Sequence, residues 1–259
     1  MTLRVNTRLL RKGALVQETF EIMRQWDRTA SWKAHLDSVR TSNSIGAKSE
    51  KWLKEVVSTV GQRFSEPSSP VLDAMARISR HGLDIEPWLQ LLHYHIGTTD
   101  ALYHRFSTEW LWKWHAGHRT DVATDAVLPW VKETLQKDLS KGSGLSEYGQ
   151  VRLTRDLLRM ATDLRILTPS THRELRRPSL LPEVVIFLLC LLRDQLKNSN
   201  AVLESSVWRI FLWTRDELVQ DLIELDQFGR IGYQAAGSIT ELDLPAASAV
   251  AYLDKWLPA

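Results

Sequence analysis

Apolar positions along this chain recur every three or four residues, the spacing of a helix that buries one face. Val16, Phe20, Met23 and Trp26 form one such stripe. Trp32, Leu36 and Val39 form the next, after Ser31. A serine there predicts an N-cap, because its hydroxyl can accept a free amide of the first turn. Residues 40–47 are a polar connection, and Ser49 predicts the cap of a third helix buried through Leu53, Val56, Val57 and Val60. Pro67-Ser68-Ser69-Pro70 then interrupts the pattern, since proline cannot continue a helix.

Beyond that break the spacing predicts helices near 71–80, 85–96 and 99–116, and one that contains Pro129 early and runs to about Leu139. Lys141-Gly142-Ser143-Gly144 is a second break, followed by helices near 147–165, 182–197 and 215–227. Val207 to Trp213 is a short apolar run that suits either strand or helix. Arg230–Tyr233 and Ser238–Leu242 flank Gln-Ala-Ala-Gly and predict a hairpin, with a final short helix over Val250–Trp256. The fold class expected is mainly α: a multi-helix bundle with a helix-turn-helix-like N-terminal part and a small C-terminal β-hairpin. It divides into a basic helical segment 1–66, an aromatic-rich middle 71–140 and a helical segment 145–259 with the hairpin, packed as one domain or two.

Composition adds a core of ordinary size, at 44% hydrophobic residues. The longest apolar run, Val184 to Leu192, holds nine residues between Glu183 and Arg193. A membrane-spanning helix needs about 20, so the run predicts a buried core helix and no membrane partner. It contains the one cysteine, Cys190, expected to be buried and unreactive. A single cysteine excludes a disulfide within the chain and fits a reducing cytoplasm. Arg4, Arg8, Arg11 and Lys12 near the N-terminus are followed by no apolar signal core, which also points to the cytoplasm.

Charge changes the picture more. The net value is only +2, but residues 1–63 hold 12 Lys/Arg against 6 Asp/Glu, while the part from 201 holds 4 against 9. A basic N-terminal face suits an anion such as nucleic acid, and an acidic C-terminal part suits a protein partner. The helix pair 32–39 and 49–62 resembles a helix-turn-helix with a long turn. On the second helix Lys51, Lys54 and Ser58 lie away from the apolar side, with Lys48 at its start. Cations and a hydroxyl in that arrangement suit phosphate contacts to double-stranded DNA. Arg8, Arg11, Lys12 and Arg40 belong to the same basic region. The bland alternative is a solvated face, with Glu50 and Lys54 as an i,i+4 pair. Arg152, Arg155 and Arg159 share a face of a second basic helix, where Asp156 and Asp163 are spaced to pair with Arg152 and Arg159 and absorb much of their charge.

The familiar catalytic signatures are absent: no Gly-rich phosphate loop with Lys-Ser/Thr, no nucleophile elbow, no zincin motif. Five of the eight histidines fall between 93 and 118. His93 and His95 are two apart and point to different faces of a helix, and His115 and His118 have no thiol nearby. These read as hydrogen-bonded structural histidines, and the tryptophans and tyrosines of the same region as packing. No metal or cofactor is expected, and no enzymatic activity. The rivals are a protein-interaction adaptor that never touches DNA and a nuclease or other hydrolase, which would need clustered carboxylates with a divalent metal.

Three segments carry a family resemblance. Leu9-Leu10-Arg11-Lys12-Gly13-Ala14-Leu15 with a helix ending at Trp26, the run Arg155 to Leu167, and Asp226-Gln227-Phe228-Gly229-Arg230-Ile231 before a hairpin resemble the BrxA family. BrxA proteins are components of BREX bacteriophage-defence systems. The resemblance implies a helical, non-enzymatic DNA-binding protein that works beside a methyltransferase, a phosphatase-like protein and ATPases, with a fold similar to that of a helical RNA-binding antitermination protein. It implies no catalytic residues.

Overall fold

The structure, a computed structural model, describes residues 10–27, 29–65, 69–82, 84–138, 145–236 and 239–258. Helices dominate it. The first with both ends among the described residues are α1 (Val16–Arg24), α2 (Trp32–Ser42) and α3 (Glu50–Arg63). Both expected serine caps form: Ser31 accepts the amide of Ala34 and Ser49 that of Trp52. Between α2 and α3 the chain turns at Asn43, whose backbone is left-handed and whose side chain brackets Ala47 through two hydrogen bonds. Gly46 supplies a second left-handed residue there. This connection, residues 43–49, is longer than the three or four residues of an ordinary helix-turn-helix.

Next come α4 (Pro70–Arg80), capped by Ser69, and α5 (Ile85–Thr99). The helix expected over 99–116 is broken at its start. Asp100 is extended, and its carboxylate accepts the amide of Tyr103 to begin α6 (Ala101–Arg105). A π-helical segment, Phe106–Leu111, then leads into α7 (Trp112–Ala116). Alternation of apolar residues could not distinguish this wider turn from an α-turn. After α8 (Thr124–Asp138) and α9 (Glu147–Asp163) comes α10 (Pro182–Leu196), all nine residues of whose apolar run are buried. Cys190 is fully buried among them, and burial pushes its thiol up to about 11.

The chain ends with α11 (Ser199–Leu203), a 3-10 turn over Ser206–Phe211, α12 (Arg215–Gln227), the strands β1 (Gly232–Ala236) and β2 (Ile239–Asp243), and α13 (Ala249–Trp256). The 3-10 turn resolves the strand-or-helix ambiguity of 207–213. The two strands pair antiparallel, with Tyr233 opposite Leu242 and Ala235 opposite Thr240. Gln234, Ala235 and Ala236 therefore belong to β1 and not to the expected turn. Neither alanine favours a turn conformation, and residues 237 and 238 lie outside the described residues.

Buried residues from Leu10 to Leu257 form one connected core. An aromatic column ties the first helices to the rest: Trp26 meets Trp32 edge-on at 4.7 Å, Trp32 meets Phe64 at 6.3 Å, and Phe64 stacks on His95 at 4.5 Å. That column packs α2 and the end of α3 against α5. Among the described residues no helix is long and apolar enough to cross a membrane.

Candidate nucleic-acid interface

The segment before α1 decides the geometry. Gly13 and Leu15 both have left-handed backbones, at φ 69° and 53°. Glycine is required at the first: a Cβ there would lie 2.2 Å from a carboxylate oxygen of Asp163. The close approach lets the amide of Ala14 donate to Asp163 of α9 at 2.9 Å. From the other side the guanidinium of Arg63, at the end of α3, donates to the carbonyls of Ala14 at 2.7 Å and Gly13 at 2.9 Å. The loop 10–15 is thus clamped between α3 and α9.

Its two cations reach in both directions. Lys12 pairs with Glu55 of α3 and lies over the Trp52 ring, 5.3 Å from its centroid. Glu55 also feels the charge of Lys51, and its carboxyl is held below its ordinary value chiefly by the hydrogen bond from Lys12. Arg11 is exposed and within electrostatic reach of Asp156 of α9, together with Arg152 and Arg159. Burial lifts the Asp156 carboxyl above its ordinary value against the pull of those three cations. Lys51 of α3 and Arg152 and Arg159 of α9, far apart in sequence, therefore lie near the partners of one loop.

Lys48, Lys51, Lys54 and Ser58 are exposed, and Leu53, Val56 and Val60 are buried, as the helical wheel requires. Val57 is only half-buried. Arg40 is exposed in the last turn of α2. Arg152, Arg155 and Arg159 are exposed on α9. Among the described residues Arg11, Arg40, Lys48, Lys51, Lys54, Arg152 and Arg155 form no ion pair within 4.0 Å. The pairs expected between Arg152 and Asp156 and between Glu50 and Lys54 are not formed. Asp156 is half-buried and shared among three cations instead. Arg159 does meet Asp163, at 4.0 Å, the outer limit of such a contact. Arg8 lies outside the described residues.

One feature escaped the sequence reading. Arg63 counted toward the basic excess of residues 1–63, yet it is only 6% exposed and serves the interior. Three of the clustered histidines are hydrogen-bonded structural residues, as expected. His95 bonds through Nε2 to the carbonyl of Arg63 at 2.9 Å, His104 through Nδ1 to that of Gly97 at 2.7 Å, and His93 lies 3.3 Å from the Tyr103 hydroxyl. His115 faces Glu217 of α12 at 3.6 Å, a carboxylate distant in sequence. Among the described residues no group of three or more His, Cys, Asp or Glu is arranged to hold a metal ion.

Burial pushes the imidazole of His93 down to about 3 and that of His95 down to about 4. Both lie below the ordinary histidine value of 6.5. The unfolded chain therefore binds more protons than the folded one as pH falls. Their contribution to stability is complete above about pH 6.5 and is lost as pH drops toward 4 for His95 and toward 3 for His93. The melting temperature should fall over that window, and the fall should be shallower in His95→Gln. An unchanged slope in that variant would contradict the assignment.

A family model described as BrxA matches residues 4–191. No curated protein matches the chain. The matched range includes the clamped loop, α3 and α9, and stops within α10, short of the hairpin. The chain belongs to the BrxA family, components of BREX bacteriophage-defence systems.

Proposed function

We propose that this protein is a non-enzymatic accessory component of a BREX system that binds double-stranded DNA mainly through phosphates and tethers other defence proteins to it. The observation that carries the reading is the convergence of two basic helices on the loop 10–15. Lys51 acts on Glu55, the partner of Lys12, while Arg152 and Arg159 act with Arg11 on Asp156; Lys48, Lys54 and Arg155 are exposed on or just before the same two helices. Exposed cations without ion-pair partners are free to neutralise phosphates. The start of α3 adds outward-pointing amides and the positive end of the helix dipole.

A binding titration on random-sequence duplex DNA across a salt series tests the reading. The logarithm of the association constant should fall linearly with the logarithm of salt, with little dependence on sequence. No binding, or affinity indifferent to salt, would overturn it. In that case the adaptor reading gains, and one surface favours it. Phe228, 73% exposed at the end of the acidic helix α12, borders a cavity with Asp221, Glu224 and Arg230 that suits a protein partner.

A further inference from the structure

We propose that the π-helical segment and α7 carry a second site, separate from the basic face, that stacks an unpaired nucleobase of a single nucleic-acid strand. Four planar groups form a column there. Phe106 stacks on Trp110 with ring centroids 5.8 Å apart and planes 16° apart. Trp110 stacks on Trp114 at 4.7 Å and 18°. The guanidinium of Arg119 lies over Trp114, 4.6 Å from its centroid. Phe106 is buried, Trp110 and Trp114 are half-buried, and Arg119 is exposed, so the column runs from the core to solvent.

Rings at 106, 110 and 114 are four residues apart and so share one face of the π-helical segment and α7, and π-helical turns concentrate at functional sites. The outer end is pre-organised. Trp114 donates its indole N–H to the carbonyl of Asp121 at 3.0 Å. The backbone beside it is pinned, because Val122 donates to the carbonyl of Arg173 and Leu175 to that of Thr120. Beside the column opens a cavity of about 420 Å³, walled by Trp110, Trp114 and Trp130, with Lys113 and Arg119 at its rim.

Trp112, on the same segment, packs against a different part of the chain. It faces the other way, donates to the carbonyl of Trp213 and is covered by Arg209 at 4.3 Å. The Trp110, Trp114 and Trp130 group borders the cavity of about 420 Å³. The charge of the rim selects the occupant. Lys113 and Arg119 are both exposed, and Glu109, the acid beside them, is engaged with Arg105 at 3.3 Å. Two cations repel a methylated ammonium and favour a ligand that joins a flat ring to a phosphate. Aromatic planes and arginine faces are the surfaces on which unpaired bases stack, whereas bases inside a duplex have both faces occupied.

The test compares oligo(dT) and oligo(rU) with abasic strands of the same length and sugar, at about 0.3 M salt, where phosphate attraction is weak. The strand with bases should bind roughly ten-fold tighter than its abasic counterpart. Whichever of the two sugars gives the larger ratio identifies the natural strand. Arg119→Ala, an exposed change, and Trp114→Leu, checked for an unaltered circular dichroism spectrum, should each reduce that ratio toward one and leave duplex binding as it was. Equal binding of abasic strands of both kinds overturns the proposal, and so does a ratio that survives both substitutions. Alanine at Lys48, Lys51 and Lys54 should leave the ratio untouched, so the duplex reading and this one fail separately.

Discussion

Replacing Arg63 with Ala should destabilise the protein by about 3–5 kcal/mol, measured by urea unfolding, the range for removing one partner of a buried ionic network. Burial lowers the guanidinium only to about 10, so it remains charged at neutral pH. It donates to the Ala14 and Gly13 carbonyls and lies within electrostatic reach of Asp100 and Asp163. Asp100 is itself buried, and its carboxyl is raised by that burial and pulled back partly by Arg63. Without the guanidinium two carbonyls lose donors and two carboxylates lose a nearby positive charge. The loop 10–15 should come loose, and trypsin should cut at Arg11 or Lys12 faster than in the parent. Arg63→Lys keeps the charge but not the planar fork that spans two carbonyls, so it should recover only part of the loss. A cost below about 1 kcal/mol with the loop still protected would mean that the clamp is ornamental, the range typical of an exposed substitution.

That clamp also shows where sequence reading stops. The helices, both serine caps and the buried side of α3 were legible because they depend on residues within a few positions of one another. The hairpin was legible too, though its strands extend further than the turn signal suggested. The role of Arg63 was not, because its partners lie 49 and 50 residues away in the chain. On a linear charge count it is one more surface cation. The Arg152–Asp156 pairing failed for the converse reason. Helical spacing made it possible, but Asp156 is half-buried and feels Arg11, from a loop far upstream, and Arg159 as well as Arg152. The π-helical turn likewise leaves no mark in a pattern of apolar positions. The family resemblance at Leu9 to Leu15 acquires a physical meaning: its glycine is the one residue that fits against Asp163.

The largest effect on DNA should come from removing charge on both sides of the loop. Lys48, Lys51 and Lys54 to Ala, and Arg152, Arg155 and Arg159 to Ala, are exposed substitutions and should each change stability by about 0.5 kcal/mol or less per site. Each lost phosphate contact lowers the salt slope by up to ~0.9, so either triple should weaken duplex binding on the order of 100-fold near physiological salt and equally across sequences. From sequence alone the arginines should matter less, because Asp156 and Asp163 are spaced to neutralise them. The geometry changes that expectation: Arg152 and Arg155 form no ion pair among the described residues, and the one Arg159 contact, to Asp163, is 4.0 Å long. The two triples should therefore be comparable, and the sixfold variant should retain almost no salt-dependent binding. If the lysine triple lowers the slope and the arginine triple does not, the DNA lies along α2 and α3 alone. If neither moves it, the basic face is solvated surface, and the duplex-binding proposal falls with it.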